Sequence, residues 1–238
     1  PLKQQGVFIE LENLMNYAMK HEADMNLDYA RELGWDGDWL PTEIYIPDEL
    51  ETKVLKVCEE LGNPSIIGVH FGCLKSTTWM YKRWHLERFM EVAWKLHETT
   101  GCHILLTGGQ AERDEADQFY YSTDEAVRPF VIDNVNKTGI MESAAWIRQC
   151  DVFISNDSGP MHVAAAVGVP IVAIFGMSNP VKNAPWTKPG AATVIKKDLW
   201  CQPCFGTNLH GACQRGDCLN EVTVDEVYNS ALFYMLKG

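Results

Sequence analysis

No stretch of this chain comes near the ~18 consecutive apolar residues that a membrane-crossing helix needs, so a transmembrane protein is not expected. Positive charge is scarce. Lys and Arg number 20 against 32 Asp and Glu, a formal net charge of −12 at pH 7 over 238 residues. A surface so acidic repels nucleic-acid phosphates and anionic lipids, and a general nucleic-acid-binding role is not expected. A small anionic ligand is still allowed, because one helix N-terminus and one lysine can hold a phosphate locally. The chain opens without a charged-then-apolar leader pattern, and from this a cytoplasmic location is expected. It has no internal repeat and no low-complexity tract. It also lacks a Gly-x-Gly-x-x-Gly after an early strand, which counts against a nicotinamide-dependent dehydrogenase. With 46% hydrophobic and 22% charged residues, it is neither disordered nor collagen-like.

Residues 6 to 33 carry a helical pattern, with Phe8, Leu11, Leu14, Met15 and Ala18 on one face and Gly34 as the stop. A turn-rich segment follows, and Pro41 to Pro47 reads as an extended linker. The chain begins abruptly in helix-like sequence without an initiating Met, so it is expected to be a fragment of something longer. From about residue 64 short apolar runs alternate with helical patterns. Strands are expected at 65–71, 102–107, 129–132, 152–155, 171–175 and 191–195, and helices at 84–99, from 111, at 140–149 and from Thr223. Thr223-x-x-Glu226 is a capping box. Strand–helix alternation predicts an α/β fold, a Rossmann-like parallel sheet. Strands that are apolar throughout predict helices on both faces. Two regions follow: residues 1–63 as the end of a preceding domain with its linker, and residues 64–238 as the sheet domain.

In such a sheet ligands bind at the C-terminal ends of the strands. The most informative exit is Ser155-Asn156-Asp157-Ser158-Gly159-Pro160-Met161-His162, a polar turn running into a helix of small residues. Ser158 and Gly159 would present backbone N–H groups at the helix start, where the dipole favours an anion. Asp157 would repel a phosphate, so it suits hydroxyl groups; Asp157 or Ser158 acting simply as an N-cap is an equal alternative. His162 suits a phosphate or sugar contact, or equally a packed structural role.

The stretch SNDSGPMHVAAAVGVPIVAIFGMSNP resembles the signature of glycosyltransferase family 9, the heptosyltransferase family. Its second part is Phe175-Gly176-Met177-Ser178-Asn179-Pro180, and the resemblance covers about residues 64 to 236. It implies the C-terminal, nucleotide-sugar-binding half of a GT-B glycosyltransferase, with ADP-heptose as the common donor. In Lys82-Arg83-Trp84 the resemblance makes Lys82 a contact to the donor phosphates, although His85 stands where the family commonly has proline and the loop from Gly72 to Tyr81 is long. Lys75 is a competitor for that role, and Ser76, Thr77 and Thr78 are candidate hydroxyl donors. Gly108-Gly109-Gln110-Ala111-Glu112 resembles the turn whose glutamate accepts hydrogen bonds from the ribose. Glu112 favouring a helix start is the plainer alternative. The general base is implied to be an aspartate of the N-terminal domain, so no catalytic residue is assigned in this chain.

Cys201, Cys204, Cys213 and Cys218 fall within eighteen residues. A tight first pair of thiols in a chain with no secretion signal favours one structural zinc or iron over a disulfide framework. The resemblance includes a subgroup that heptosylates autotransporter proteins and carries a cysteine-bound iron. No organic cofactor is expected. The expected activity is transfer from a nucleotide-activated sugar, ADP-heptose first, to a lipopolysaccharide core sugar or a protein hydroxyl, with homo-oligomer formation left open. A non-catalytic nucleotide-sugar-binding or assembly module is the alternative.

Overall fold

The computed structural model describes residues 19–73, 82–209, 213 and 215–237. Helices α1 (Glu22–Glu32) and α2 (Asp48–Glu60) precede strand β1 (Ile66–His70). Then come α3 (Leu86–Thr100), β2 (His103–Leu106), a 3-10 turn at Gln110–Glu112, α4 (Arg113–Ser122), β3 (Val131–Asp133), α5 (Ile140–Arg148) and β4 (Val152–Asn156). The chain continues through α6 (Gly159–Val167), β5 (Ile171–Ile174), α7 (Pro180–Asn183), β6 (Ala192–Ile195), α8 (Asp217–Asn220) and α9 (Val224–Met235).

The six strands form one sheet in the order β3-β2-β1-β4-β5-β6, and every pairing is parallel. The α/β, Rossmann-like fold read from the sequence is the fold observed. The four inner strands are buried on both sides because alternate residues feed two cores. Ile67, Val69, Ile104, Leu106, Val152, Ile154, Val172 and Ile174 face one core with α3, α4 and α9. Ile66, Leu105, Phe153, Ile171 and Ala173 face the other, with α2, α5 and α6. In β1, Gly68 makes room for a neighbour: a Cβ there would lie 2.4 Å from Cδ2 of Phe153. Helix α3 stops at Gly101, whose φ of 71° a residue with a side chain rarely adopts. Helix α9 is opened by the expected capping box, with Thr223 Oγ1 accepting from Glu226 N at 3.2 Å and Glu226 Oε2 accepting from Thr223 N at 2.8 Å.

Helix α2 was not expected from the sequence, and packing against the sheet begins before residue 64. Ile46, Val54 and Cys58 are buried in the second core. Of the helical pattern at residues 6–33, residues 6–18 lie outside the described ones, and the remainder forms α1. His21 opens α1: its Nδ1 accepts from Ala23 N at 3.0 Å, and its Nε2 donates to Ala184 O at 2.8 Å. The ring packs on Trp186, centroid to centroid 4.6 Å, and Trp186 Nε1 donates to Leu40 O at 2.7 Å. The segment before α2 is thereby tied to the residues after α7. No helix among the described residues is long and apolar enough to cross a membrane.

The strand order reverses direction between β1 and β4. The chain leaves β1 toward β2 and leaves β4 toward β5, which opens a crevice at their C-terminal ends.

Candidate functional site

At the exit of β4, the backbone turns into α6 through Asp157 and Ser158. Ser158 is the N-cap residue, but its side chain does not cap the helix. Its hydroxyl instead donates to Asn156 O at 3.2 Å and lies 3.2 Å from Ser155 Oγ. Asp157 does not cap either, because its carboxylate is engaged with Lys82. No described heavy atom lies within 4 Å of where a Cβ on Gly159 would stand. No side chain caps the start of this nine-residue helix, and there is room beside Gly159, which is the electrostatic setting an anion prefers.

Lys82, which follows β1 in the chain, reaches this place. Its Nζ lies 2.5 Å from Asp157 Oδ2, with the two side chains 11% and 7% exposed. That oxygen is buried and has no hydrogen bond of regular geometry among the described residues, so the ammonium is its charge partner. The ring of Phe205 stands 5.6 Å from the same ammonium. One turn into α6, His162 keeps contact with solvent but is crowded by the groups around it. Desolvation lowers its pKa, Asp157 pulls it back up, and His21 and Lys82 lower it further. The imidazole is accordingly neutral at pH 7.

Glu112 sits at the exit of β2 and is buried. Its Oε2 accepts from Gly109 N at 3.0 Å, which closes the 3-10 turn. A Cβ on Gly72, at the β1 exit, would lie 2.5 Å from Glu112 Cγ and 2.7 Å from Oε1. Only glycine lets the two exits approach so closely. Beneath them His70 is buried, with Nδ1 donating to Thr107 O at 2.9 Å. Burial pushes the His70 pKa down, Thr107 and Glu112 act against that, and Arg83 adds to it.

The structure thus brings Lys82, Asp157, Ser158, Gly159 and His162 to one crevice mouth, with Glu112 at the neighbouring strand end. Lys75, Ser76, Thr77 and Thr78 lie outside the described residues. Two residues of the site were not singled out from the sequence. Asn156 was read only as part of a motif, and Phe205 lies in the loop after Cys204.

That loop belongs to the cysteine segment. Cys204 N and Phe205 N both donate to Met177 O at 3.0 Å, and Gln202 Nε2 donates to Gly176 O at 2.5 Å. The segment is therefore fastened to the β5 exit and carries Phe205 to Lys82. Burial raises the thiol pKa of Cys204, and Cys201 and Cys213 add to it. Cys218 is pushed up to about 11 by burial, with Cys204, Cys213 and Cys201 contributing. Cys204 and Cys218 each lie within electrostatic reach of the other three thiols. As donors they suit a thiophilic ion, but among the described residues no three or more His, Cys, Asp or Glu stand in an arrangement that would hold a metal.

The family profile described as Glycosyltransferase family 9 (heptosyltransferase) matches residues 66–212. Lipooligosaccharide heptosyltransferase 2 of Campylobacter jejuni is 33% identical over 151 residues, 61% of this chain and 46% of that protein. The crystal structure of a family 9 glycosyltransferase from Veillonella parvula superposes with a TM-score of 0.78 at 26% identity, covering 92% of this chain and 61% of that one. The ADP-heptose lps heptosyltransferase II of E. coli superposes with a TM-score of 0.68 at 20% identity, covering 85% and 56%, and so shares the fold. The chain spans about half the length of the curated relatives it matches.

Proposed function

The chain belongs to glycosyltransferase family 9, and from that premise we propose that it holds the nucleotide-activated sugar in a heptosyltransferase reaction. The observation that carries the reading is the meeting of Lys82 with the uncapped start of α6 at the switch point between β1 and β4. In the reaction an acceptor hydroxyl attacks the anomeric carbon of the sugar, its proton passing to the general base that the family resemblance places in the N-terminal domain. The bond from that carbon to the β-phosphate oxygen breaks, and the nucleoside diphosphate leaves with the electron pair. Lys82 and the N–H groups at Ser158 and Gly159 stabilise the negative charge that develops on the departing diphosphate. Lysine suits this as a compact charge on a flexible stem. Glu112 offers carboxylate oxygens to the vicinal hydroxyls of the ribose, and Asp157 offers them to the sugar. His162, neutral, can donate or accept one hydrogen bond at the same mouth.

ADP-heptose is the proposed donor, on the family resemblance and on the donor named for the E. coli enzyme. A lipopolysaccharide core sugar is the proposed acceptor, because the matched relatives are named for lipooligosaccharide and lipopolysaccharide. A cytoplasmic setting, where thiols stay reduced, completes the reading. Calorimetric titration with ADP-heptose, UDP-glucose and GDP-mannose tests it. Tight binding of the ADP-sugar alone is expected, and equal or absent binding of all three would reject the donor assignment.

Cys201, Cys204, Cys213 and Cys218 are proposed to close on one structural zinc or iron. Support comes from their donor chemistry and from the electrostatic reach of Cys204 and Cys218 to the other thiols. A bound ion would add order to this segment, because metal-binding free energy becomes folding free energy. Elemental analysis of untagged protein should give about one ion per chain, falling in Cys204→Ser. Metal-free, fully folded protein with four titratable thiols in that segment would reject it.

A further inference from the structure

Asn156 is fully buried, yet its carboxamide has polar partners on both sides. Its Oδ1 accepts from Trp84 N at 2.9 Å. Its Nδ2 donates to Phe71 O at 2.9 Å and lies 3.4 Å from Gly72 O. One side chain therefore joins the two backbone stretches that flank residues 74–81, and it does so next to Asp157. Trp84 is held independently, with Nε1 donating to Val222 O at 3.1 Å and the indole packed edge-on against Phe89 at 5.0 Å. Lys82 lies two residues before the N–H that Asn156 holds.

We infer that Asn156 is a positioning residue that sets Lys82 against the start of α6, and hence against the donor's diphosphate. The inference rests on the donor-binding reading above. A carboxamide is the only side chain of this size that both donates and accepts in one plane. An aspartate would set one oxygen against the carbonyl groups of Phe71 and Gly72, and an apolar residue would leave Trp84 N–H and Phe71 O buried without partners. Asn156 touches neither nucleotide nor sugar in this account; it acts through Lys82.

The test compares the affinities of ADP and adenosine in the full chain, for the unaltered protein, Lys82→Ala, Asn156→Ala and the double variant. Lys82→Ala should weaken ADP about tenfold and leave adenosine unchanged. If it does not, the donor reading itself fails, whatever Asn156 does. With that control in place, Asn156→Ala should also weaken ADP about tenfold, spare adenosine, and add little in the Lys82→Ala background. A merely structural role would instead weaken adenosine and ADP together, or persist in full without Lys82, and either result overturns the inference. So does unchanged ADP binding. Asn156→Asp, which keeps the size and the acceptor for Trp84 N–H but loses the donor, is the second variant should the alanine form fail to fold. The same ADP-selective loss is expected of it, and its absence there counts equally against the inference.

Discussion

With its ammonium 2.5 Å from Asp157, Lys82 reaches the site already paired. An incoming diphosphate must share or displace that carboxylate, so the two ligand parts respond differently when it is neutralised. Asp157→Asn should leave ADP bound as well or better, because the competing charge is gone. It should weaken ADP-heptose relative to ADP by about tenfold, because a charged acceptor for the sugar hydroxyls is lost. Calorimetry with the two ligands reads both effects, and equal changes for both would deny Asp157 a sugar contact. His70 makes a second prediction. Burial holds its pKa below the ordinary value of about 6.5, so the folded protein keeps it neutral. As pH falls through that value the unfolded chain binds a proton that the folded one refuses, and stability declines. His70→Asn, which can still donate to Thr107 O, should reduce the slope of stability against pH between about 7 and 5. Urea denaturation at stepped pH measures it. His103 and His162 are shifted the same way, so some slope remains.

At the scale of elements, β1 depends on Gly68. A methyl group there would press on the Phe153 ring in the middle of the sheet, so Gly68→Ala should cost about 1–3 kcal/mol, seen as a lower urea midpoint. Most elements were legible because apolar runs and helical patterns alternate without ambiguity from residue 64 onward. Displaced boundaries have local causes. Helix α3 begins at Leu86 rather than Trp84, since His85 before it is extended, with ψ of 136°. Strand β3 begins at Val131 because Arg128-Pro129-Phe130 forms a 3-10 turn. Helix α2 was missed although its signs were present: Pro47 before it, Asp48, Glu49 and Glu51 in its first turn, and Val54 and Cys58 on one face. In the site, individual residues were legible from their exits, but their partnerships were not. Lys82 and Asp157 are far apart in sequence, and so are Asn156 and Trp84. No local pattern encodes a contact that only the strand order creates.

For the molecule as a whole, the segment before α2 matters because it returns to the site's rim. Trp186 stacks on His21 and also faces Trp39 at 6.2 Å. Trp186→Ala should release this clasp without reaching either core. Faster proteolysis between residues 33 and 47, with the unfolding midpoint of the sheet nearly unchanged, is the expected outcome. A large fall in the midpoint would mean that the clasp supports the sheet itself.

The pairing of Lys82 has a kinetic side. A molecule of net charge −12 repels a polyanion from a distance, and the lysine that would counter this is already neutralised by Asp157. Arg83, the next cation along, is likewise paired, 2.9 Å from Glu115. For the described residues, attraction therefore begins at contact range, where the backbone amides of α6 take over. Added salt, which screens the long-range repulsion within about 10 Å at 0.1 M, should then hasten the arrival of ADP rather than slow it. Stopped-flow association rates that fall with ionic strength would show that some other positive field guides the nucleotide in.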